Sequence, residues 1–136
     1  MKRILIVDDE VKLCVLIRRI LERKGYQTLM VHDGLEGLKL LAQHQVDLVL
    51  LDVMMPGMNG IEVCDQIRNN PSTAATPVLL MTAYRTPDTY QKILEAGADQ
   101  VLYKPFDTDK LLLTIDALLN LPITPPPVTA QQSQYT

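Results

Sequence analysis

The stretch VDLVLLDVMMPGMNG, residues 46–60, decides the fold class because it joins a buried strand, a carboxylate and a tight turn. Residues 47–51 predict a strand that enters a core, and Asp52 follows the apolar run directly. An unpaired ion is costly to bury, so a partner for this carboxylate is expected nearby. The role of Asp52 therefore depends on which other polar groups gather at the same end of the strand.

Short apolar runs of this kind alternate with helical patterns along the chain. Four further strands are predicted at residues 3–7, 26–31, 77–81 and 100–103, and the second of these is mixed enough to suit a sheet edge. Helices are predicted at about residues 13–24, 35–43, 59–69, 87–96 and 107–119. This repeated alternation of strand and helix predicts a parallel sheet with helices on both faces.

Length and composition limit the class of protein. The 136 residues fit one domain, and a hydrophobic content of 47% is enough for a single core. A net charge of −3 without a long basic run argues against nucleic-acid binding by this chain alone. The N-terminal apolar run of four residues is too short for a signal peptide or a membrane span, so a cytoplasmic protein without membrane association is expected.

Two smaller features complete the organisation of the chain. Cys14 and Cys64 have no metal-binding or redox spacing and are predicted to be reduced, buried or half-buried thiols. Residues 122–136 contain four prolines and no charged side chain, which predicts a flexible tail or the stump of a linker. Residues 1–121 are therefore predicted to form the folded domain.

Polar side chains follow four of the five predicted strands. Asp8 and Asp9 follow the first strand, Asp52 the third, Thr82 the fourth and Lys104 the fifth, whereas the second strand offers no obvious polar group. The carboxyl ends of parallel strands meet at one edge, where open α/β sheets bind their ligands. The topology alone therefore gathers carboxylates, a hydroxyl and an ammonium at a single site.

The charges at this edge suggest phosphoryl chemistry. The carboxylates repel one another and Lys104 offsets only one of them, so a hard divalent cation such as Mg²⁺ is expected. A carboxylate beside Mg²⁺ can attack phosphorus and form an aspartyl phosphate. Asp52, alone on the central third strand, is the predicted nucleophile, and Asp8 and Asp9 are predicted metal ligands. Lys104 and Thr82 would stabilise the transferred group. Singly, each residue also suits an ordinary structural role.

The motifs ILIVDDE, LVLLDVMMPGMNG, PVLLMTA and AGADQVLYKPF resemble those of the receiver domain of two-component response regulators. The resemblance extends over residues 3–119. It implies a flavodoxin-like (βα)5 three-layer sandwich whose parallel five-stranded sheet has the strand order 2-1-3-4-5. It also implies a phosphorelay role in which Asp52 accepts a phosphoryl group and a protein–protein surface is switched. Such a chain catalyses only its own phosphorylation and dephosphorylation, so it is not expected to be an enzyme.

The same resemblance implies a ligand set for the metal. Asp9 and Asp52 would bind Mg²⁺ directly together with the backbone carbonyl of Met54, while Asp8 acts largely through water. Mg²⁺ is the one cofactor expected. The Lys104–Pro105 peptide bond is expected to be cis, and the turn MMPGMNG is expected to leave Asp52 exposed at the floor of the cleft.

The implied partner is a histidine kinase or a histidine-containing phosphotransfer protein. It is predicted to dock on the first helix through Val11 and Val15, which lie opposite a predicted core face of Leu13, Leu16, Ile17, Ile20 and Leu21. Pairing of two copies through the fourth helix, fifth strand and fifth helix stays open.

The switch is expected to be unusual. In this family an aromatic residue commonly stands three positions before the lysine, and here that position is Val101. A valine is stiff at χ1 and has no ring to move. Tyr103 and Tyr84 are candidates to take over the role of the missing aromatic residue. Phosphorylation is predicted to shift the backbone around residues 82–84 without a rotamer change at 101.

Three rival classes share parts of this pattern. A flavodoxin-type cofactor protein needs a phosphate cradle rich in serine, threonine and glycine after the first strand, where this chain has Asp-Asp-Glu. A phosphatase of the haloacid-dehalogenase type needs a second aspartate two residues after the nucleophile, where this chain has Met54. A receiver-like binding module that signals without phosphorylation is the serious alternative.

Overall fold

The computed structural model describes residues 1–120, in which strands and helices alternate along the chain. The strands are β1 (Arg3–Val7), β2 (Gln27–Val31), β3 (Leu48–Asp52), β4 (Val78–Thr82) and β5 (Gln100–Tyr103). The helices are α1 (Val11–Arg23), α2 (Gly34–Gln43), α3 (Gly60–Asn69), α4 (Pro87–Glu95) and α5 (Thr108–Leu119). The tail predicted at residues 122–136 lies outside the described residues.

The strands form one parallel sheet in the order β2-β1-β3-β4-β5. This order confirms the predicted fold class and the edge position of the second strand. All five residues of β3 and of β4 are buried, whereas β2 is only half-buried. Continuous apolar runs suit the central strands because helices cover both faces of the sheet.

Two cores lie on opposite faces of the sheet because alternate residues of each strand point to opposite sides. On one face, Ile4 and Leu50 pack with residues of α1 and α5. On the other face, Leu5 and Leu51 pack with residues of α2, α3 and α4. Both cysteines are free and fully buried, one in each core, as the sequence predicts.

The predicted core face of α1 is partly wrong. Leu16 is 55% exposed, and the fully buried positions are Cys14, Ile17 and Leu21. Each residue advances about 100° around a helix, so Leu16 lies a quarter-turn away from Ile17. The apolar arc of α1 is therefore wider than its contact with the sheet, and its edge faces solvent. Val11 is exposed as predicted, whereas Val15 is half-buried.

Two helices begin near the carboxyl edge of the sheet with side-chain caps. The Asn59 side chain accepts the Glu62 N–H at 2.9 Å, and the Glu62 carboxylate accepts the Asn59 N–H at 3.0 Å. Asp107 caps α5 by accepting the Lys110 N–H at 2.7 Å. The Asn59–Glu62 pair is reciprocal, and all three bonds satisfy backbone donors at the first turn of a helix.

Candidate functional site

The carboxyl edge of the sheet brings three carboxylates together. Asp8 directly follows β1, and Asp9 is the next residue. One oxygen atom from each of Asp8, Asp9 and Asp52 lies within 4.8 Å of the other two. Asp52 is the last residue of β3 and not the residue after it, because the following Val53 N–H still bonds to the sheet, 2.9 Å from the Met81 carbonyl.

Lys104 lies across two of these carboxylates. Its Nζ atom is 3.0 Å from Asp52 Oδ1 and 3.2 Å from Asp8 Oδ2. The Asp8 side chain is fully buried and that of Asp52 is 7% exposed. The expectation of an exposed Asp52 was therefore wrong, because the lysine and the walls of the cleft shield it. The Lys104–Pro105 bond is cis, as expected.

Burial and neighbouring charges perturb both partners of this contact. Burial raises the pKa of Asp52 to about 6, the hydrogen bond from Lys104 opposes that rise, and the Asp8 charge adds to it. For Lys104, burial acts to lower the pKa, but the hydrogen bond and charge of Asp52, together with Asp8, outweigh it and the net shift is upward. The pair therefore favours an ionised lysine beside a carboxylate that is reluctant to ionise.

The site carries more negative charge than its own lysine can neutralise. Three carboxylates face one ammonium, and their oxygens lie close enough to share one ion. Clustered carboxylate oxygens with room for water suit a hard divalent cation such as Mg²⁺. Met54, two residues after Asp52, has a side chain that is 55% exposed, and the contribution of its carbonyl to a metal stays a prediction.

The start of α3 lies very close to the backbone of Asp52. A Cβ atom on Gly60 would lie 2.2 Å from the Asp52 carbonyl oxygen, so any side chain there would collide with the backbone. The Gly60 N–H lies 2.9 Å from the Val53 carbonyl and closes the turn. Glycine at the start of α3 therefore lets the helix hold the backbone that carries Asp52.

Thr82 ends the neighbouring strand, again as its last residue and not one past it. Its hydroxyl oxygen accepts the Tyr84 N–H at 3.0 Å, which leaves the hydroxyl proton free for donation. The guanidinium of Arg85 stacks over the ring of Tyr103, 4.5 Å from its centre. Val101 is half-buried and packs against the core.

His32 is a polar residue at this edge that sequence reasoning missed. It directly follows β2, and its Nδ1 atom lies 3.1 Å from the carbonyl oxygen of Asp8. The second strand therefore also contributes a polar side chain, contrary to the prediction. Its position one residue past the strand was the available signal, which is the same signal that identified Asp8.

An apolar groove borders the site on the side of α1. It has a volume of about 420 Å³, and Lys104 is one of the residues that line it. The exposed Leu16 lines it together with Leu13 and Ile20 from the same helix and with Phe106 from the loop after β5. The solvent-facing edge of α1 thus continues directly to the charged centre.

The order of the strands defines a doubly wound α/β domain, and the acidic cluster lies at the carboxyl ends of the strands, where such sheets commonly bind ligands. A family model described as the response regulator receiver domain matches residues 4–116. The chain belongs to this family of receiver domains.

Solved structures and curated relatives agree with this assignment. The chemotaxis protein CheY4 of Vibrio cholerae superposes with a TM-score of 0.84 at 31% identity, covering 88% of this chain and 99% of that one. The signal receiver domain of a signal transduction histidine kinase from Syntrophus aciditrophicus gives a TM-score of 0.85 at 33% identity, covering 96% and 99%. The response regulator ArlR of Staphylococcus saprophyticus is 43% identical over 121 residues.

The chain spans between about a quarter and a half of the length of the curated relatives it matches. The 121 matched residues are 88% of this chain and 53% of ArlR. The DNA-binding dual master transcriptional regulator RpaA of Synechocystis is 40% identical over 119 residues, which are 88% of this chain and 49% of RpaA. Within residues 1–120, each helix is too short or too polar to cross a lipid bilayer.

Proposed function

We propose that this receiver domain accepts a phosphoryl group on Asp52, with Mg²⁺, from a histidine kinase or a histidine-containing phosphotransfer protein. The observation that supports this most is the setting of the Asp52 carboxylate, which is nearly buried between the acidic pair and Lys104. Phosphorylation then switches a protein–protein surface in a two-component pathway. A cytoplasmic location goes with this role and stays a prediction.

Asp52 is the proposed nucleophile. One of its carboxylate oxygens attacks phosphorus and forms a P–O bond, while the P–N bond of a phosphohistidine donor breaks. The donor imidazole leaves with the electron pair of that bond and can take up a proton from water. Burial raises the pKa of Asp52 to about 6, so at neutral pH the carboxylate is still mostly ionised and able to attack.

The charges around Asp52 would stabilise the transferred group. Asp8, Asp9, Asp52 and the Met54 carbonyl are the proposed metal ligands, and bound Mg²⁺ would neutralise charge on the phosphoryl oxygens. Lys104 already points at Asp52 and can turn its ammonium to a phosphoryl oxygen. The free hydroxyl proton of Thr82 can donate to another of these oxygens.

Acetyl phosphate provides the direct test because it needs no partner protein. The wild-type chain, incubated with acetyl phosphate and Mg²⁺, should gain the mass of one phosphoryl group in intact-mass spectrometry, and EDTA should prevent the gain. Asp52→Asn should abolish it, whereas Asp65→Asn, at an exposed carboxylate on α3, should label normally. Asp8→Asn and Asp9→Asn should mainly raise the Mg²⁺ concentration that labelling requires.

Two results would contradict this assignment. Labelling that persists in Asp52→Asn would mean that another residue accepts the phosphoryl group. A folded wild-type chain that takes no label from acetyl phosphate or from a phosphorylated histidine donor would favour the alternative, a receiver-like module that binds partners without phosphorylation.

The partner is proposed to dock in the apolar groove beside α1. The predicted contacts at Val11 and Val15 stay untested, but neither residue lines this groove, whereas the exposed Leu16 lines it together with Lys104. Leu16→Glu should slow phosphotransfer from the partner by about tenfold or more, which corresponds to at least about 1.4 kcal/mol of lost contact, and should leave labelling by acetyl phosphate unchanged.

Leu35→Glu is the matched control for docking. Leu35 lies on α2 and is 54% exposed, close to the 55% of Leu16, but it does not line the groove. It should leave both reactions unchanged. Equal slowing of transfer in the two variants would mean that the groove is not the docking surface, and loss of acetyl phosphate labelling in Leu16→Glu would point to damage at the site.

Pairing of two copies remains a separate proposal for the output of the domain. Tyr90 and Leu94 on α4 and Leu113 on α5 are large exposed apolar side chains. Such residues can form the centre of an interface. Sedimentation velocity before and after labelling would show whether phosphorylation changes the oligomeric state.

A further inference from the structure

The carbonyl oxygen of Asp8 accepts hydrogen bonds from two side chains. The Nδ1 atom of His32 lies 3.1 Å from it and the Cys14 sulfur lies 3.2 Å from it. A carbonyl oxygen can only accept, so both the imidazole and the thiol must donate, which requires a proton on Nδ1. Burial is the main cause that raises the pKa of Cys14 to about 12, so the thiol keeps the proton that it donates.

With these two donors, the N–H, the carbonyl and both carboxylate oxygens of Asp8 each have a hydrogen-bond partner. Its N–H donates to the Val31 carbonyl at 3.2 Å, and one carboxylate oxygen accepts the Glu10 N–H at 2.9 Å. The other carboxylate oxygen receives Lys104. Cys14 comes from α1 and His32 from the end of β2, so two separate elements hold the carbonyl between them.

The held carbonyl belongs to the peptide unit that joins Asp8 to Asp9. A peptide unit is planar and turns as one body, so a fixed carbonyl direction also fixes the direction of the Asp9 N–H. Rotation of this plane would turn the chain at Asp9 and carry its carboxylate away from those of Asp8 and Asp52. The orientation of this plane therefore helps to determine the spacing of the acidic oxygens.

We propose that His32 and Cys14 are positioning residues for the acidic pair. By donating to the Asp8 carbonyl they hold the peptide plane at the angle that brings both carboxylates within reach of one divalent cation. The affinity for Mg²⁺ rests on the proposed function, whereas the fixed backbone is a property of the metal-free chain. Residues that orient metal ligands in this way commonly change metal affinity by about 10- to 100-fold when they are lost.

The first test measures backbone motion without metal. His32→Leu and Cys14→Ala remove the donors, while His32→Asn and Cys14→Ser are matched controls that keep an N–H or O–H in their place. Amide ¹⁵N relaxation dispersion in EDTA should show exchange at Asp9 in the donor-less variants. The wild type and the matched controls should show little. Urea unfolding, recorded in parallel, separates loss of position from loss of stability.

The second test measures the Mg²⁺ dissociation constant by calorimetry. His32→Leu and Cys14→Ala should raise it by about tenfold or more, and His32→Asn and Cys14→Ser should restore most of the affinity. Unchanged affinity and a quiet Asp9 amide in both donor-less variants would overturn the proposal and leave His32 and Cys14 as packing residues. If the wild type binds no Mg²⁺ but the Asp9 amide still responds to the variants, the positioning role holds and the proposed function fails.

Discussion

Charges are balanced at the amino end of the sheet and unbalanced at its carboxyl end. Next to the starts of β4 and β5, Arg68 donates to the carbonyls of Gly97 and Thr76 at 2.8 and 2.6 Å. It also donates to the Asp99 carboxylate at 2.7 Å, and the same carboxylate accepts the Val78 N–H at 2.8 Å. At this end one cation meets one anion, and the donors and acceptors around them satisfy one another.

At the opposite end, three carboxylates share one ammonium. Burial raises the pKa of Asp52 to about 6, which means that the folded chain holds this carboxylate against an energetic cost. A negative charge that the fold leaves uncompensated is stabilised when a cation binds beside it. The comparison separates an end whose charges stabilise the fold from an end whose excess of carboxylates costs stability.

Removing Arg68 should have the largest effect on stability. Arg68→Met keeps the apolar stem but leaves three loop carbonyls, those of Ala74, Thr76 and Gly97, without their side-chain donor. The Asp99 carboxylate keeps only the Val78 N–H. We expect the free energy of unfolding to fall by about 2–4 kcal/mol, measured by urea denaturation. Labelling by acetyl phosphate should persist in the folded fraction, because the change is at the far end of the sheet.

Arg18→Met is the matched control for this variant. Arg18 pairs with Glu22 one turn along α1 at 3.2 Å, and both side chains are about half exposed, at 50% and 47%. An exposed pair of this kind contributes about 0.5 kcal/mol or less. Similar losses in the two variants would mean that the network around Arg68 adds no more than a surface ion pair, and the contrast between the two ends would break down.

The sequence predicts the residues at the carboxyl end of the sheet much better than those at the amino end, where Arg68 lies. Asp8, Asp52 and Lys104 stand out because each ionisable side chain meets the end of an apolar run, and parallel strands gather such positions. Arg68 has no comparable signal, since its partners are mainly backbone carbonyls in loops, and every residue has a carbonyl. Backbone partners become visible only when the loops are placed in space.

Two further differences have related causes. His32 was missed because it acts on a backbone oxygen and not on another side chain of the site. Leu16 was assigned to the core because helical periodicity gives the width of the apolar arc but not the width of the sheet that covers it. Strand ends at Asp52 and Thr82 shifted by one residue because sheet pairing, and not hydrophobicity, ends a strand.

Neutralising Asp52 should have the next largest effect, and in the opposite direction. In EDTA, Asp52→Asn should increase the free energy of unfolding by about 1–3 kcal/mol at about pH 8, because it removes a buried charge that Asp8 and Asp9 repel. The gain should fall as Mg²⁺ is added, since the wild type alone keeps the full ligand set. A lower free energy of unfolding for Asp52→Asn in EDTA would contradict the inference that the ionised Asp52 carboxylate destabilises the metal-free fold.

The same variant gives a pH dependence with a definite sign. The pKa of Asp52 rises from an ordinary 3.8 to about 6 on folding, so protonation of this carboxyl favours the folded state. The contribution of Asp52 to stability is therefore most favourable below about 4 and is lost as the pH rises through about 6. Unfolding of both proteins in EDTA across this range should show their stabilities converging as the pH falls. A constant difference would mean that Asp52 ionises normally.

The smallest effect is expected at the edge of the functional end, where Arg85 stacks on Tyr103. Arg85 is exposed, so this contact should contribute about 0.5–1 kcal/mol. Tyr103→Leu should lower stability by about that amount, and Tyr103→Phe should be close to neutral because the ring remains. Equal effects of the two substitutions would mean that the hydroxyl, and not the stack, matters.

The same stack sharpens the prediction for the switch. Arg85 belongs to the loop that follows Thr82, and Tyr103 directly precedes Lys104. The contact therefore links the two segments that carry Thr82 and Lys104, the residues expected to bind a phosphoryl group. Val101 packs into the core and has no ring to move inward. We expect beryllofluoride, a phosphoryl mimic, to shift the backbone of residues 82–86 while Val101 stays in place. Structures determined with and without beryllofluoride would decide this. An unmoved segment would contradict the prediction, and a large inward movement of Tyr103 would mean that it has taken over the aromatic role that Val101 lacks.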